Sequence, residues 1–254
     1  MQTRSWRKWN TAAFLAVLLV NLLANVVPLG GRTTGEVSAM FPVLATPASY
    51  AFSIWWLIYA LLAGYVWLQW RPRWQDLPVF RETSPWFVAS CLFNVAWLLT
   101  WHYLYIFSSV FLMIALLLTL VPLYFATRSV KGSPRDDDGL VAKLLIRLPF
   151  SVCAGWISVA TIVSVSIGLE LAGWNGWGLE AYWTFLLLFG GAAIAFVAFR
   201  RYCDAAFVLT IVWAYVAIGV EQREAVPLIA WVAWLLAGAL LLVALRVVPA
   251  GRRR

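Results

Sequence analysis

Two groups of side chains in this sequence have the types and spacing of a binding site. In each group an aromatic-rich set repeats at positions i, i+3 and i+7, which lie on one face of a helix. The groups are Phe52, Trp55 and Tyr59, followed by Asn94, Trp97 and Trp101. Aromatic rings offer flat contact area at low entropic cost, and one amide can orient a bound molecule. The pattern predicts a flat-walled slot for a planar apolar ligand, with aromatic packing between helices as the alternative.

Signatures of catalysis are absent from the chain. It has no G-x-S-x-G, no phosphate-binding loop and no H-E-x-x-H. Glu170 and Asp204 come closest to membrane depth, but both fall near the ends of apolar runs, where we expect them to reach water. The three cysteines have no C-x-x-C spacing, and the one histidine, His102, is expected in an interfacial aromatic belt. We therefore predict no catalytic residue, no metal site and no required cofactor.

The elements that position these residues are membrane helices. Hydrophobic residues make up 63% of the 254 positions and charged residues 12%, and the mean hydropathy is +0.84. Since about 20 apolar residues cross the ~30 Å hydrocarbon core, eight spans are predicted. They cover residues 11–29, 48–70, 85–102, 106–127, 144–172, 181–199, 205–220 and 225–248. None shows the alternation of a barrel strand, so the fold class is all-α. Asn21 and Asn25, four positions apart in the first span, are expected to bond to a neighbouring helix.

The basic residues alternate from one connection to the next. Of the 19, 17 lie at the two termini and in the second-to-third, fourth-to-fifth and sixth-to-seventh connections; only Arg32 and Arg223 lie elsewhere. By the positive-inside rule this predicts eight spans with both termini in the cytoplasm, as in a bacterial inner membrane protein. The net charge of +8 is scattered through short loops rather than gathered on one face. We therefore predict contact with the lipid bilayer and exclude nucleic acid as a partner.

Several of these motifs resemble the TspO/MBR family, the tryptophan-rich sensory proteins related to the peripheral benzodiazepine receptor. The second span carries PASYAF at 47–52 followed by WWLIYALLAGY at 55–65, and the third carries NVAW at 94–97. A weaker similarity lies in LPF at 148–150 and WISVAT at 156–161. The chain departs from the family pattern by one residue fewer between Phe52 and Tyr59, and by Ser164 and Val165 where an Asn-Trp pair is usual.

The resemblance implies a five-helix bundle over residues 11–172, followed by a three-helix extension, residues 173–248, with no counterpart in the five-helix unit. It implies a pocket for tetrapyrroles such as porphyrin, or for other flat hydrophobic ligands, between the first, second, third and fifth spans. The loop of residues 30–46 would be its lid. Carried over by position, the lining residues are Trp55, Tyr59, Asn94, Trp97, Trp156 and Ser164.

Three functions are open at this stage. The first is a membrane receptor or sensor that binds a hydrophobic small molecule. The second is a structural or assembly subunit of a larger membrane complex, such as a pigment–protein complex, for which the small-residue run GGAAIA at 190–195 offers an interface. The third is a transporter or enzyme acting on tetrapyrroles or isoprenoids. The resemblance also implies pairing as a homodimer, unless the extension buries the face that a five-helix relative uses for pairing.

Overall fold

The protein is a bundle of α-helices. The computed structural model describes residues 2–41, 43–128 and 139–246, and these contain no β-strand. In chain order the helices are α1 (Gln2–Val26), α2 (Thr34–Ala39), α3 (Ile54–Leu68), α4 (Pro78–His102), α5 (Ile106–Arg128), α6 (Gly139–Ala142), α7 (Leu148–Leu171), α8 (Glu180–Tyr202), α9 (Ala205–Gln222) and α10 (Pro227–Leu245).

Within these described residues, eight helical segments are long and apolar enough to cross a membrane. The second consists of α3 and a 3₁₀ turn before it, Ser49–Ser53, and the fifth joins α6 to α7 through a π-helical turn, Lys143–Arg147. The short helix α2 lies in the first connection. The prediction of an all-α integral membrane protein with eight spans is therefore confirmed.

The helix ends follow local sequence signals. Proline occupies the first position of α4 and of α10, where its missing N–H removes no intrahelical bond. The carboxylate of Asp204 caps α9 by accepting a hydrogen bond from the Phe207 backbone N–H at 3.2 Å. Cys203 ends α8 in the left-handed conformation, with φ 51°. Only these two residues, Cys203 and Asp204, separate α8 from α9, and the tight turn makes the two helices neighbours.

The five helices of the predicted unit pack around α4 and α7. Helix α4 lies between α1 and α5, α7 packs against α5, and α3 packs against α1 and α7. The extension is attached through α9, which packs on α7, while α8 and α10 pack on α9. Gly155 of α7 makes this contact close: a Cβ there would lie 3.0 Å from Thr210 Cβ and 3.2 Å from the Phe207 carbonyl oxygen.

Residues 30–41 and 43–46, the loop predicted to be a lid, lie over the end of α4. We call this loop the lid and this end of the bundle the lid end. Its helix α2 begins with a capping box, in which the Glu36 backbone N–H donates to the Thr33 hydroxyl oxygen at 3.3 Å and the Thr33 backbone N–H donates to the Glu36 carboxylate. This carboxylate accepts from the Thr33 backbone N–H at 2.7 Å and from the Thr33 hydroxyl at 3.0 Å. These two bonds lower the pKa of Glu36. After the lid, the Ala48 N–H donates to the Ala217 carbonyl at 3.1 Å and Trp213 Nε1 donates to the Ala51 carbonyl at 3.0 Å. The extension thus holds the chain where it leaves the lid.

Candidate functional site

Four aromatic rings from α3 and α4 form one stacked ladder inside the bundle. Tyr59 and Trp55 lie 5.4 Å apart between ring centroids at 20°, and Trp55 and Trp97 lie 5.9 Å apart at 29°. Trp97 and Trp101 continue the stack at 6.2 Å and 24°. All four side chains are buried. We call Tyr59, Trp55, Trp97 and Trp101 the aromatic ladder.

The helical repeat of the sequence builds this ladder. Two ladder residues on each helix are four positions apart, so they stand one above the other on the same face. Helix α3 packs its backbone against α1 and α7 rather than closely against α4. The large rings of Trp55 and Trp97 fill the space between α3 and α4, which smaller side chains would leave empty.

The slot expected from the sequence is closed. A planar molecule held between two rings needs them about 7 Å apart, twice the ~3.5 Å contact distance of carbon atoms. The centroids of Trp55 and Trp97 are 5.9 Å apart, so these rings contact each other directly. The two helical faces therefore interleave instead of forming two parallel walls, and a flat ligand must displace at least one ring to enter the stack.

Four of the predicted lining residues carry a buried polar group without a hydrogen-bond partner. They are Trp55, Trp97 and Trp156, each through Nε1, and Tyr59 through its hydroxyl, which lies near the Asn21 amide without forming a bond of acceptable geometry. An unsatisfied buried donor costs about 1–3 kcal/mol, and native interiors contain few of them. Indole N–H groups only donate. A partner for the three indoles must therefore present acceptor atoms.

Asn94 is connected to the first helix. Its Oδ1 accepts a hydrogen bond from Asn21 Nδ2 at 3.2 Å, and Asn25 Oδ1 accepts from the Thr34 hydroxyl of α2 at 3.2 Å. The expectation that Asn21 bonds to a neighbouring helix is confirmed, whereas Asn25 reaches the lid. This polar chain lies beside the ladder and links α1, α4 and the lid.

Three cavities border the predicted site residues. The largest, about 370 Å³, lies between α1 and α3 under the lid, and Trp55, Tyr59, Asn21 and Asn25 are among its walls. A second, of about 20 Å³, is lined by a set that includes Trp55, Tyr59 and Asn94. The third, also about 20 Å³, is lined by a set that includes Ser38, Trp97, Trp156 and Ser164. All six predicted residues thus border one of three cavities around the ladder, and only the first is large enough for more than a water molecule.

Trp156 and Ser164 come from α7. The Trp156 ring meets Phe52 edge-to-face at 5.6 Å and 85°, so α7 contacts the turn before α3. Ser164 is buried and borders the third cavity. Its cavity also borders the buried Ser38 of the lid, whose hydroxyl has no hydrogen-bond partner.

His102 lies inside the structure rather than in an interfacial belt. It is buried, with Nε2 3.1 Å from the Thr34 hydroxyl and Nδ1 3.0 Å from the Leu29 carbonyl oxygen. The neighbouring Trp101 donates through Nε1 to the Thr34 carbonyl at 3.2 Å. The end of α4 therefore fixes the start of the lid. The sequence shows a single histidine next to Trp101, but its position alone gives no indication that this histidine contacts the lid.

Asp204 also departs from expectation. Glu170 is exposed as predicted, but Asp204 is buried and forms an ion pair with Arg128. No group of three or more histidine, cysteine, aspartate or glutamate side chains is placed to hold a metal ion within residues 2–41, 43–128 and 139–246. Both ring nitrogens of His102 are engaged, so it offers no axial ligand to a haem iron in this arrangement.

Comparison with known proteins identifies the family. No curated protein and no solved structure gives a significant match. A family model described as TSPO-like protein matches residues 7–246, which include all eight membrane helices and not only the five of the predicted unit. With this match added to the helical bundle and its tryptophan-rich interior, the chain belongs to the TSPO-like protein family.

Proposed function

We propose that this protein is a membrane receptor or sensor that binds flat hydrophobic ligands, with tetrapyrroles such as protoporphyrin as the leading class. The observation that carries the proposal is a set of unpaired indole donors in the ladder and on the neighbouring Trp156. Trp55, Trp97 and Trp156 combine apolar ring faces with buried N–H groups that have no partner. A planar molecule with acceptor groups at its edge would satisfy both features at once. Packing between helices alone would explain the buried apolar ring faces, but it would not explain why the indole N–H groups have no hydrogen-bond partner.

The cavity between α1 and α3 is the entry point in this proposal. Its volume of about 370 Å³ is at the lower end of small-molecule sites, which typically span ~300–1,000 Å³. One of its walls is the ladder pair Trp55 and Tyr59. A ligand the size of a porphyrin would start in this cavity and enlarge it by moving one of the ladder rings. The lid above it, fixed at Thr34, would have to move as well.

Quenching of tryptophan fluorescence by protoporphyrin IX tests the proposal on detergent-purified protein. We expect saturable quenching at micromolar or lower concentration. Trp97→Ala and Asn94→Ala should each weaken it about 3- to 10-fold, because aromatic contacts and net hydrogen bonds each contribute ~0.5–1.5 kcal/mol. Trp231→Ala is the matched control, since this tryptophan is exposed on α10 and away from the ladder. It should leave the affinity unchanged.

Two outcomes would contradict the proposal. Variants at Trp97 and Asn94 that bind normally but unfold at a lower temperature would mean that the ladder only joins helices. Absent or non-saturable quenching in the unmodified protein would favour a subunit of a larger membrane complex, to be tested by co-purification from mildly solubilised membranes. The run at 190–195 supports that alternative weakly, because Gly191, Ala192 and Ala195 are buried within the chain itself.

A further inference from the structure

A cavity larger than the three around the ladder lies outside the aromatic site. It is a cleft of about 680 Å³ between the lid-end halves of α7 and α8, closed on one side by lid residues Val43, Leu44 and Ala45. Helix α8 packs mainly on α9 and α10, so it diverges from α7 and leaves this space. On α7 the cleft extends from Thr161 to Glu170, about 14 Å at ~1.5 Å per residue. That is about half of the ~30 Å hydrocarbon core.

The inner part of the cleft is apolar. Its walls are mostly aliphatic, with Ile162, Val165, Leu169, Leu186 and Leu187 among them. The hydroxyls of Thr161, Ser166 and Thr184 also line it, but each donates to a carbonyl of its own helix at 2.6–2.9 Å. No hydroxyl proton is left for a ligand, so the interior suits a hydrocarbon chain or ring system.

The mouth of the cleft is acidic and aromatic. Glu170 from the end of α7 and Glu180 from the start of α8 are both exposed there, and neither forms an ion pair with a described basic residue. Beside them Trp174 and Trp183 lie 5.4 Å apart. The Trp183 ring is fixed by a bond from its Nε1 to the Gly176 carbonyl at 3.2 Å, and it packs on Gly176, where a Cβ would lie 3.1 Å from Cδ1.

We propose that this cleft binds a cationic amphiphile, a molecule with a hydrophobic chain or ring system and an amine or quaternary ammonium head without a phosphate. The chain would lie between α7 and α8, and the head would lie at the two carboxylates against the tryptophan rings. An ammonium group over an indole face is attracted by the negative charge density of the ring. A phospholipid fits less well, because its phosphate would be brought next to Glu170 and Glu180.

This site is separate from the aromatic ladder. The two lie on different faces of α7: Val159, Val163 and Ser164 border the ladder cavity, whereas Ile162 and Val165 border the cleft. Binding in the cleft therefore does not depend on the proposed receptor function. If the cleft does not bind the amphiphile, fluorescence quenching by protoporphyrin IX should be unchanged. If protoporphyrin IX does not quench the fluorescence, binding of the amphiphile in the cleft should be unchanged.

Photo-crosslinking tests the proposal on the full chain in an uncharged maltoside detergent. The probe is a long-chain trimethylammonium with a diazirine on its chain, and the reference probe carries the same chain with a sulfate head. We expect saturable labelling of residues 161–187, about 10-fold more efficient for the ammonium probe, which corresponds to ~1.4 kcal/mol. Glu170→Gln with Glu180→Gln should remove most of this preference. The control pair Glu221→Gln with Glu224→Gln removes two exposed acids away from the cleft and should change nothing.

The apolar part is tested by filling the cleft. Val165→Trp should block labelling by the ammonium probe, whereas Ile194→Trp, at an exposed position of α8 outside the cleft, should not. Equal labelling by the two probes, or labelling unaffected by loss of both carboxylates, would overturn the proposal and leave a gap that detergent fills. Complete displacement of the probe by phosphatidylcholine would also overturn it, since the site would then accept a phosphate-bearing lipid.

Discussion

Asp204→Asn is the substitution whose effect on stability the structure defines best. The Asp204 carboxylate pairs with the Arg128 guanidinium, accepts a hydrogen bond from the Tyr124 hydroxyl at 3.0 Å, and caps α9 through Phe207. Arg128 also donates to the Ser151 hydroxyl at 2.6 Å and lies 4.0 Å from the centre of the Tyr124 ring. The cluster joins α5, α7 and the α8–α9 turn, so it attaches the extension to the five-helix unit.

Asparagine retains the shape of the side chain and its capping oxygen, and asparagine and aspartate are comparable N-caps. What is lost is the charge, which leaves the Arg128 guanidinium without its counter-ion in a site where its side chain is 13% exposed. Breaking a buried pair in this way costs about 3–5 kcal/mol. Because Arg128 retains some contact with solvent and the hydroxyl of Ser151, we expect about 3 kcal/mol, the lower end of that range.

The assay is equilibrium unfolding in mixed micelles, in which an ionic detergent is titrated against a mild one and helicity is followed by circular dichroism. Glu221→Gln is the control, because it removes one exposed charge without a partner in the cluster. The double substitution Arg128→Met with Asp204→Asn should recover most of the lost stability, since it keeps the cap of α9 and leaves no buried charge unpaired. A loss below ~0.5 kcal/mol for Asp204→Asn would refute the reasoning, because that is the range of a surface substitution.

Three further predictions follow from the lid and from the junction with the extension. Trp213→Phe removes the bond to the Ala51 carbonyl and should increase deuterium exchange in the lid several-fold, with exchange in α4 unchanged. The lowered pKa of Glu36 means that its capping box is complete above the ordinary carboxyl pKa of ~4.3 and is lost as the pH falls through the lower folded value. The protection of the α2 amides, expressed relative to the intrinsic exchange rate at each pH, should therefore fall at acid pH, and Glu36→Gln should remove that dependence. Gly155→Val should cost about 1–3 kcal/mol of unfolding free energy by forcing α7 away from Thr210, whereas Gly190→Val, where a Cβ meets no atom within 4 Å, should cost far less.

Hydrophobic run length and charge alternation were enough to predict the helices. A chain that crosses lipid without the alternating pattern of barrel strands must form its backbone hydrogen bonds within helices. Each long apolar run therefore corresponds to one membrane helix, and counting the runs gives the number of membrane helices. The residues of the candidate site could also be selected, since period and aromatic type identify a helix face such as Trp55 with Tyr59. The arrangement of these residues could not be predicted, because it depends on the distance between α3 and α4. The sequence of either helix alone does not determine that distance.

Polar contacts between residues far apart in the sequence could not be predicted either. The position of Asp204 near a helix end predicts that its side chain is exposed to water. Its burial depends on Arg128, which is 76 positions away in the sequence. His102 likewise reads as an interfacial residue until the lid folds back over it. Both cases involve a polar group at a helix end whose partner lies on another segment. In this protein, the predictions of exposure that failed are therefore those for polar residues at helix ends.

The extension has a mechanical consequence for the aromatic site. The start of the lid is held by His102 and Trp101, which belong to the five-helix unit, while the chain after the lid is held by Ala217 and Trp213 of α9. Any movement of the lid that admits a ligand to the ladder must therefore strain or break contacts with α4, with α9, or with both. Since the ladder itself lies entirely on α3 and α4, removing the extension would leave its rings in place but free one side of the lid. The three additional helices are thus expected to change how fast ligands enter and leave more than how tightly the ladder can hold them.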